Sequence, residues 1–306
     1  MNIRLENKTV QTDQTVKTAV AVSMTSIIAN AALSIFKLLA GFFANSSAMV
    51  SDGVHSASDV FSSIIVIIGV KLSAKSSDND HPYGHERLEC VAAIILAVIL
   101  LITGIFIGYE AAVKIYSGNF DDFTEPGLLA LAAAVISILV KEAMFWYTRH
   151  YAKKINSGAV MADAWHHRSD ALSSVGALIG IIGARNGYPV FEPLASLVIS
   201  GFIVKAAIEI FNDSIRKMTD TSCDAETEDA IRSFIAGQDG IVNIDLLRTR
   251  LFGNKIYADI EISIDGNKTL YESHAIAEKI HDAVEMQFPQ IKHIMIHVNP
   301  ADVAEK

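Results

Sequence analysis

Six apolar stretches run through the first part of the chain, at about 19–43, 48–72, 90–116, 126–147, 159–184 and 191–212, separated by short polar segments. Each approaches or exceeds the roughly 20 residues that cross a bilayer's hydrocarbon core, so the pattern predicts six transmembrane helices. Beyond residue 212 the period changes. "DAETEDAIRSFIAG" has an acidic first turn and ends in glycine, as helices do. "IVNIDLLRTRLF" and "KIYADIEISID" alternate apolar and polar positions like half-buried strands, and "GN" joins them. "TLYESHAIAEKIHDAVEMQF" is amphipathic at helical spacing, and "IKHIMIHVNP" alternates again. The order α-β-β-α-β predicts a small two-layer α+β domain, with helices on one face of a three-stranded sheet. The expected organisation is a tail at 1–18, a six-helix membrane domain at 19–212 and a soluble domain at 213–306.

Composition agrees with that division, since 51% of the 306 residues are hydrophobic. Residues 213–306 hold 10 Lys/Arg against 17 Asp/Glu, so −7 of the chain's −9 charge lies in the tail. An acidic tail argues against nucleic acid as a partner. Orientation follows from the basic residues that flank the spans. Arg4, Lys8, Lys17, Lys71, Lys75, Arg87, Arg149, Lys153, Lys154, Arg216 and Lys217 fall on one side, against Lys114 and Arg185 on the other. Six spans then place both termini and the acidic tail in the cytoplasm. The first eighteen residues are polar and lack the apolar core of a cleavable signal peptide. Together with the short loops, this points to a prokaryotic inner membrane. Cys90 and Cys223 cannot by themselves make a disulfide framework or a thiolate zinc site.

Ionisable residues deep inside a span are expected only in the second and fifth. "SDGVHSASD" carries Asp52, His55 and Asp59, and "ADAWHHRSD" carries Asp163, His166 and Asp170, both as D-x-x-H-x-x-x-D. On a helix these positions share one face. A carboxylate at mid-bilayer depth costs about 2.5–3.5 kcal/mol even on lenient insertion scales. Two such stripes therefore satisfy each other only by meeting across a helix interface, away from lipid. His55, Asp59, His166 and Asp170 make a four-ligand N/O shell of the kind Zn²⁺ accepts. Two carboxylates against one dication leave a neutral loaded pocket. Metal needs its ligands deprotonated, so exchange of metal for protons is physically natural. The bland alternative, a polar cluster gluing two helices, normally uses small polar residues rather than four ionisable ones. Asp52 and Asp163, one turn away, are open to three roles: acceptors behind the ligands, proton carriers, or lining of a water-filled mouth. In the loop "SSDNDHPYGHERLE", Asp78, His81 and His85 offer a small N/O site to which Asp80 can add, unless "HPYG" is simply a turn. His150, His167, His281 and His293 read as surface or interfacial.

Six spans, paired H-x-x-x-D motifs and an acidic αββαβ tail resemble the cation diffusion facilitator family over nearly the whole chain, from about Val16 to Pro300. The resemblance implies a homodimeric divalent-metal/proton antiporter that exports metal from the cytoplasm by alternating access. It also implies a metallochaperone- or ferredoxin-like cytoplasmic domain for dimerisation and metal sensing. His55, Asp59, His166 and Asp170 occupy the family's transport positions. Histidine in both pairs goes with zinc carriers, sometimes moving cadmium or cobalt; manganese types are oxygen-rich, and iron stays open. The family often binds metal in the loop of Asp78, His81 and His85, and its cytoplasmic zinc positions correspond to Asp245, Glu261, His274 and His297. Here Asn299 replaces a common aspartate, while Asp245 and Glu261 replace histidines. The resemblance pairs Arg87 with Asp220 as a charge interlock and makes Trp165 an apolar gate. The expectation is a membrane-embedded Zn²⁺/H⁺ antiporter, not an enzyme. Its competitors are carriage of Fe²⁺, Cd²⁺, Co²⁺ or Mn²⁺, an intramembrane metalloenzyme, and a non-transporting metal receptor. The enzyme lacks support because the chain has no H-E-x-x-H.

Overall fold

The first helix, α1, runs from Asn2 to Phe43 without a break. It is seen in a computed structural model that describes residues 2–43, 53, 56, 57, 59–118, 128–185, 188 and 190–301. Residues 2–18 are thus helical and continuous with the first apolar stretch. No glycine or proline occurs before Gly41, so no breaker interrupts the helix at the change from polar to apolar sequence. After it come α2 (Val60–Ser73), α3 (Arg87–Ser117), α4 (Leu128–Ile155), α5 (Gly158–Arg185) and α6 (Phe191–Met218). Helix α4 outruns its apolar stretch for the same reason. It stops where Asn156 takes a left-handed φ of 52°, a conformation asparagine tolerates at helix ends. Asp220, with φ 55°, follows the end of α6 in the same way.

Two compact units divide at Ser214/Ile215. In the first, Gln14–Ala40 of α1 and Arg87–Ser117 are long and apolar enough to cross a membrane. Helices α4, α5 and α6 have 28 residues each, about 42 Å at 1.5 Å per residue. The distribution of side chains is inverted relative to a water-soluble protein. Ile28, Phe61, Ile102, Phe106, Leu139 and Phe202 face outward, whereas Ser26, Asn30, Lys37, Lys141, Asp163 and His167 are buried. In the apolar part of the interior, Val66, Leu96, Leu100 and Ile203 are interleaved with small residues, including Ala19, Ala92, Ala93, Ala97, Ala152, Ala159 and Ala162. Such residues let helix backbones approach closely. Gly69 of α2 marks the tightest approach: a Cβ there would lie 2.3 Å from Cβ of Ala92 on α3.

The second unit contains α7 (Ala225–Ala236), β1 (Asn243–Phe252), β2 (Lys255–Asp265), α8 (Leu270–Gln287) and β3 (Ile291–Ala301). The Asp224 carboxylate caps α7 by accepting from Thr227 N at 2.8 Å. Thr269 and Glu272 form a reciprocal capping box at the start of α8. Strands β1 and β2 are an antiparallel hairpin closed by Gly253 and Asn254, with Gly253 at φ 63°. Strand β3 pairs parallel with β2, as the intervening α8 crossover requires. Ile231 and Ile235 of α7 and Ile280 and Val284 of α8 pack with Ile256, Ile260, Ile262, Ile264 and Ile291 of the sheet.

Gly69→Ala is expected to destabilise the membrane unit by the roughly 1–3 kcal/mol typical of overpacking. The readout is a lowered Tm of the detergent-purified protein, and Ala92→Gly in the same chain should restore most of it.

Candidate metal centre

Asp59 stands immediately before α2, and His166 and Asp170 lie one turn apart on α5. The structure brings the three together, with one donor atom from each lying within 4.8 Å of the others. His166 Nε2 is 3.5 Å from Asp59 Oδ1. His55 and Asp52, the other members of the second-span motif, lie outside the described residues.

Between the two carboxylates sits a lysine that belongs to neither D-x-x-H-x-x-x-D motif. Lys141 of α4 donates to Asp59 Oδ2 at 2.6 Å, to Asp170 Oδ2 at 2.9 Å and to Asn30 Oδ1 of α1 at 2.8 Å. An ammonium has three protons to donate, and these contacts use all of them. The side chains of Lys141 and Asp59 are each 2% exposed. At such depth, charge-assisted hydrogen bonds are the strong kind, and one cation holds four helices to one point. Lys37 of α1 is also buried, donating to Ser56 Oγ at 2.9 Å. Deep ionisable residues are therefore not confined to the second and fifth spans; the first and fourth each supply a lysine. The signal was present in "ILVKEAMFW", a lysine inside an apolar run, to which the intramembrane cost of charge applies as it does to the aspartates.

Asp163 belongs to a second buried cluster. It accepts from Ser62 Oγ at 3.0 Å and from Ser63 Oγ at 3.2 Å. His167 Nε2 lies 3.6 Å from it and 3.1 Å from Ser26 Oγ. His167 is thus fully buried and bonded across to α1, not a surface or interfacial histidine. Trp165, half-buried on the same helix, packs its ring 5.5 Å from that of Phe145 on α4.

The loop between α2 and α3 gathers Asp78, His81 and His85 within the same 4.8 Å limit. His85 Nε2 is 3.4 Å from Asp78 Oδ2, and the two imidazole centroids are 4.5 Å apart. Lys75 donates to Asp78 at 2.6 Å, and His81 N donates to it at 2.8 Å. The Lys75 ammonium, followed by that backbone N–H, holds the Asp78 carboxyl well below the usual carboxylate range. One carboxylate and two imidazoles fit Zn²⁺ as a three-ligand set.

Asp245 occupies a β-bulge, since Ile244 faces Ile262 but Leu246 faces Glu261. The extra residue re-aims its side chain. Asp245 accepts from Ser263 Oγ at 2.6 Å and from Asn299 Nδ2 at 2.9 Å, and Asn299 Nδ2 also reaches Glu261 at 3.5 Å. The Asn299 amide and then the Ser263 hydroxyl lower the Asp245 carboxyl from its ordinary value. His297 pairs with Glu261 in the parallel register. Within one chain and among the described residues, Asp245, Glu261, His274 and His297 do not form a third donor group. Arg87 opens α3 in the first unit and Asp220 lies in the second.

Residues 23–219 match the family described as the cation efflux transmembrane domain, and residues 223–301 match the cytoplasmic domain of cation efflux proteins. The manganese efflux system protein MneP of Bacillus subtilis is 33% identical over 286 residues, 91% of this chain and 95% of that protein. The magnetosome protein MamB of Magnetospira sp. is 31% identical over 271 residues, 88% of this chain and 91% of that one. Metal tolerance protein C1 of Arabidopsis thaliana is 33% identical over 288 residues, which span 90% of this chain but 61% of the plant protein.

Asp78→Asn is expected to remove one bound Zn²⁺ per chain in isothermal titration while leaving metal flux in liposomes unchanged. Loss of flux together with the ion would give the loop a direct part in transport.

Proposed function

The chain belongs to the cation efflux family, and from that membership we propose that it carries Zn²⁺ out of the cytoplasm in exchange for protons. The family moves divalent metal across membranes and is not a family of enzymes. The observation that carries the finer reading is the convergence of Asp59, His166 and Asp170 from two helices. By sequence, His55 stands four residues before Asp59 in "VHSASD" and is the fourth ligand of this reading, completing an N/O set of the kind Zn²⁺ prefers. Ligands that must shed protons to bind metal, and regain them on release, couple the two flows. In this reading six spans place both termini in the cytoplasm of a prokaryotic cell. The acidic unit joins two copies and senses metal through Asp245, Glu261 and their neighbours. Arg87 and Asp220 supply the family's charge interlock, Trp165 is its apolar gate, and Asp52 and Asp163 take one of three roles: acceptor behind the ligands, proton carrier or lining of a water-filled mouth.

A second reading is Mn²⁺. The described donors are two carboxylates to one imidazole, a set that harder cations favour, and two relatives are manganese efflux proteins by name.

Flux into liposomes with an imposed pH gradient tests both. Asp170→Asn is expected to weaken metal uptake by more than the ~10–100-fold that loss of an outer ligand partner costs. His166→Asp is expected to shift competition from Zn²⁺ toward Mn²⁺. Unchanged flux in the first variant would remove Asp170 from the site. Unchanged metal preference in the second would remove His166.

A further inference from the structure

We propose that Lys141 is a tethered competing cation, one that occupies the carboxylate pair between metal-binding events and must leave before a dication is held. The inference rests on the reading of Asp59 and Asp170 as metal ligands. Its own basis is the placement of the ammonium. Lys141 Nζ lies 2.6 Å from one carboxylate and 2.9 Å from the other, with the side chain 2% exposed. A surface lysine near acids shares its contacts with water, whereas this one is directed inward from α4 with all three protons bonded. It does not simply neutralise the pocket, because a pocket that also receives two positive charges would then carry surplus positive charge in a low-dielectric interior. Ammonium and dication are alternatives on the same pair of acids.

The contacts show what the exchange changes. With the ammonium in place, α1, α2, α4 and α5 meet at Asn30, Asp59, Lys141 and Asp170. A dication on Asp59, His166 and Asp170 joins α2 to α5 and leaves α1 and α4 without that link. Loading therefore alters which helices are tied together, which gives metal a differential affinity for two arrangements, as any ligand-driven conformational change requires. The flexible stem and compact charge of lysine suit a group that must withdraw. The cost of displacing it lowers apparent metal affinity by the fraction of time the pocket is free of it. That favours release, which a transporter needs as much as capture.

The test measures Zn²⁺ affinity of full-length, detergent-purified protein by competition with a chelating dye, in a background carrying Asp78→Asn to silence the loop. Lys141→Met is expected to lower Kd at least about tenfold, the factor by which competitor occupancy suppresses binding. Capture should quicken by a similar factor, while release into excess chelator, where nothing rebinds, stays at the unmodified protein's rate. In liposomes KM should fall. Lys141→Arg, which keeps the charge, should not tighten binding. Asn30→Ala, which removes an acceptor of the ammonium and none of the proposed ligands, should tighten binding in the same direction. It serves as the deciding variant if Lys141→Met does not fold. Equal or weaker Zn²⁺ affinity in folded Lys141→Met, or in Asn30→Ala where that variant decides, overturns the proposal. Asp170→Asn separates the two levels. If it weakens binding while Lys141→Met fails to tighten it, the competitor role alone is lost; if it leaves Kd unchanged, the metal site itself is lost.

Discussion

A charge buried in an apolar helix bundle has to be neutralised where it stands, and in this protein that constraint organises the membrane unit. Asp59 and Asp170 reach the interior from different helices, and the ammonium of Lys141 holds both. Breaking such a buried set by removing one member leaves an uncompensated charge, which is why the contacts are short and complete. The same constraint explains why α2 and α5 lie against each other near these residues.

Around this centre polar side chains occupy part of the bundle interior beside an apolar core, while large apolar side chains face outward. Asp163 and His167 are enclosed by Ser26, Ser62 and Ser63, and Lys37 is bonded to Ser56. In lipid no water is available to solvate these groups, so each must find a protein partner. Small residues such as Gly69 and Ala92 bring the backbones close enough for short side chains to do so. The acidic cytoplasmic unit follows a different logic. There, ordinary capping, a glycine-closed hairpin and an isoleucine-rich core define a water-soluble fold.

Much of this was legible in the sequence. The i,i+4 spacing of His166 and Asp170 places both on one side of a helix, and the cost of an unpaired Asp59 implies that its helix meets theirs. Period-two alternation and "GN" located β1, β2 and their turn. Other features were not legible. The extension of α1 back to Asn2 escapes a reading based on hydropathy, because a helix can continue through a polar stretch that holds no glycine or proline. The position of Asp245 depends on a bulge, and nothing in strict alternation announces an inserted residue. Lys141 was readable in principle, but its partners come from α1, α2 and α5, and a single chain gives no register between helices that are distant in sequence.

The most direct test is an experimentally determined structure of the Zn²⁺-loaded protein at a resolution that places the Lys141 ammonium. Zinc bound by Asp59, His166 and Asp170, with Lys141 Nζ withdrawn beyond hydrogen-bonding distance of both carboxylates, is the predicted result. Zinc bound elsewhere in the membrane unit, or bound at these residues with the ammonium still bridging the two acids, would contradict it.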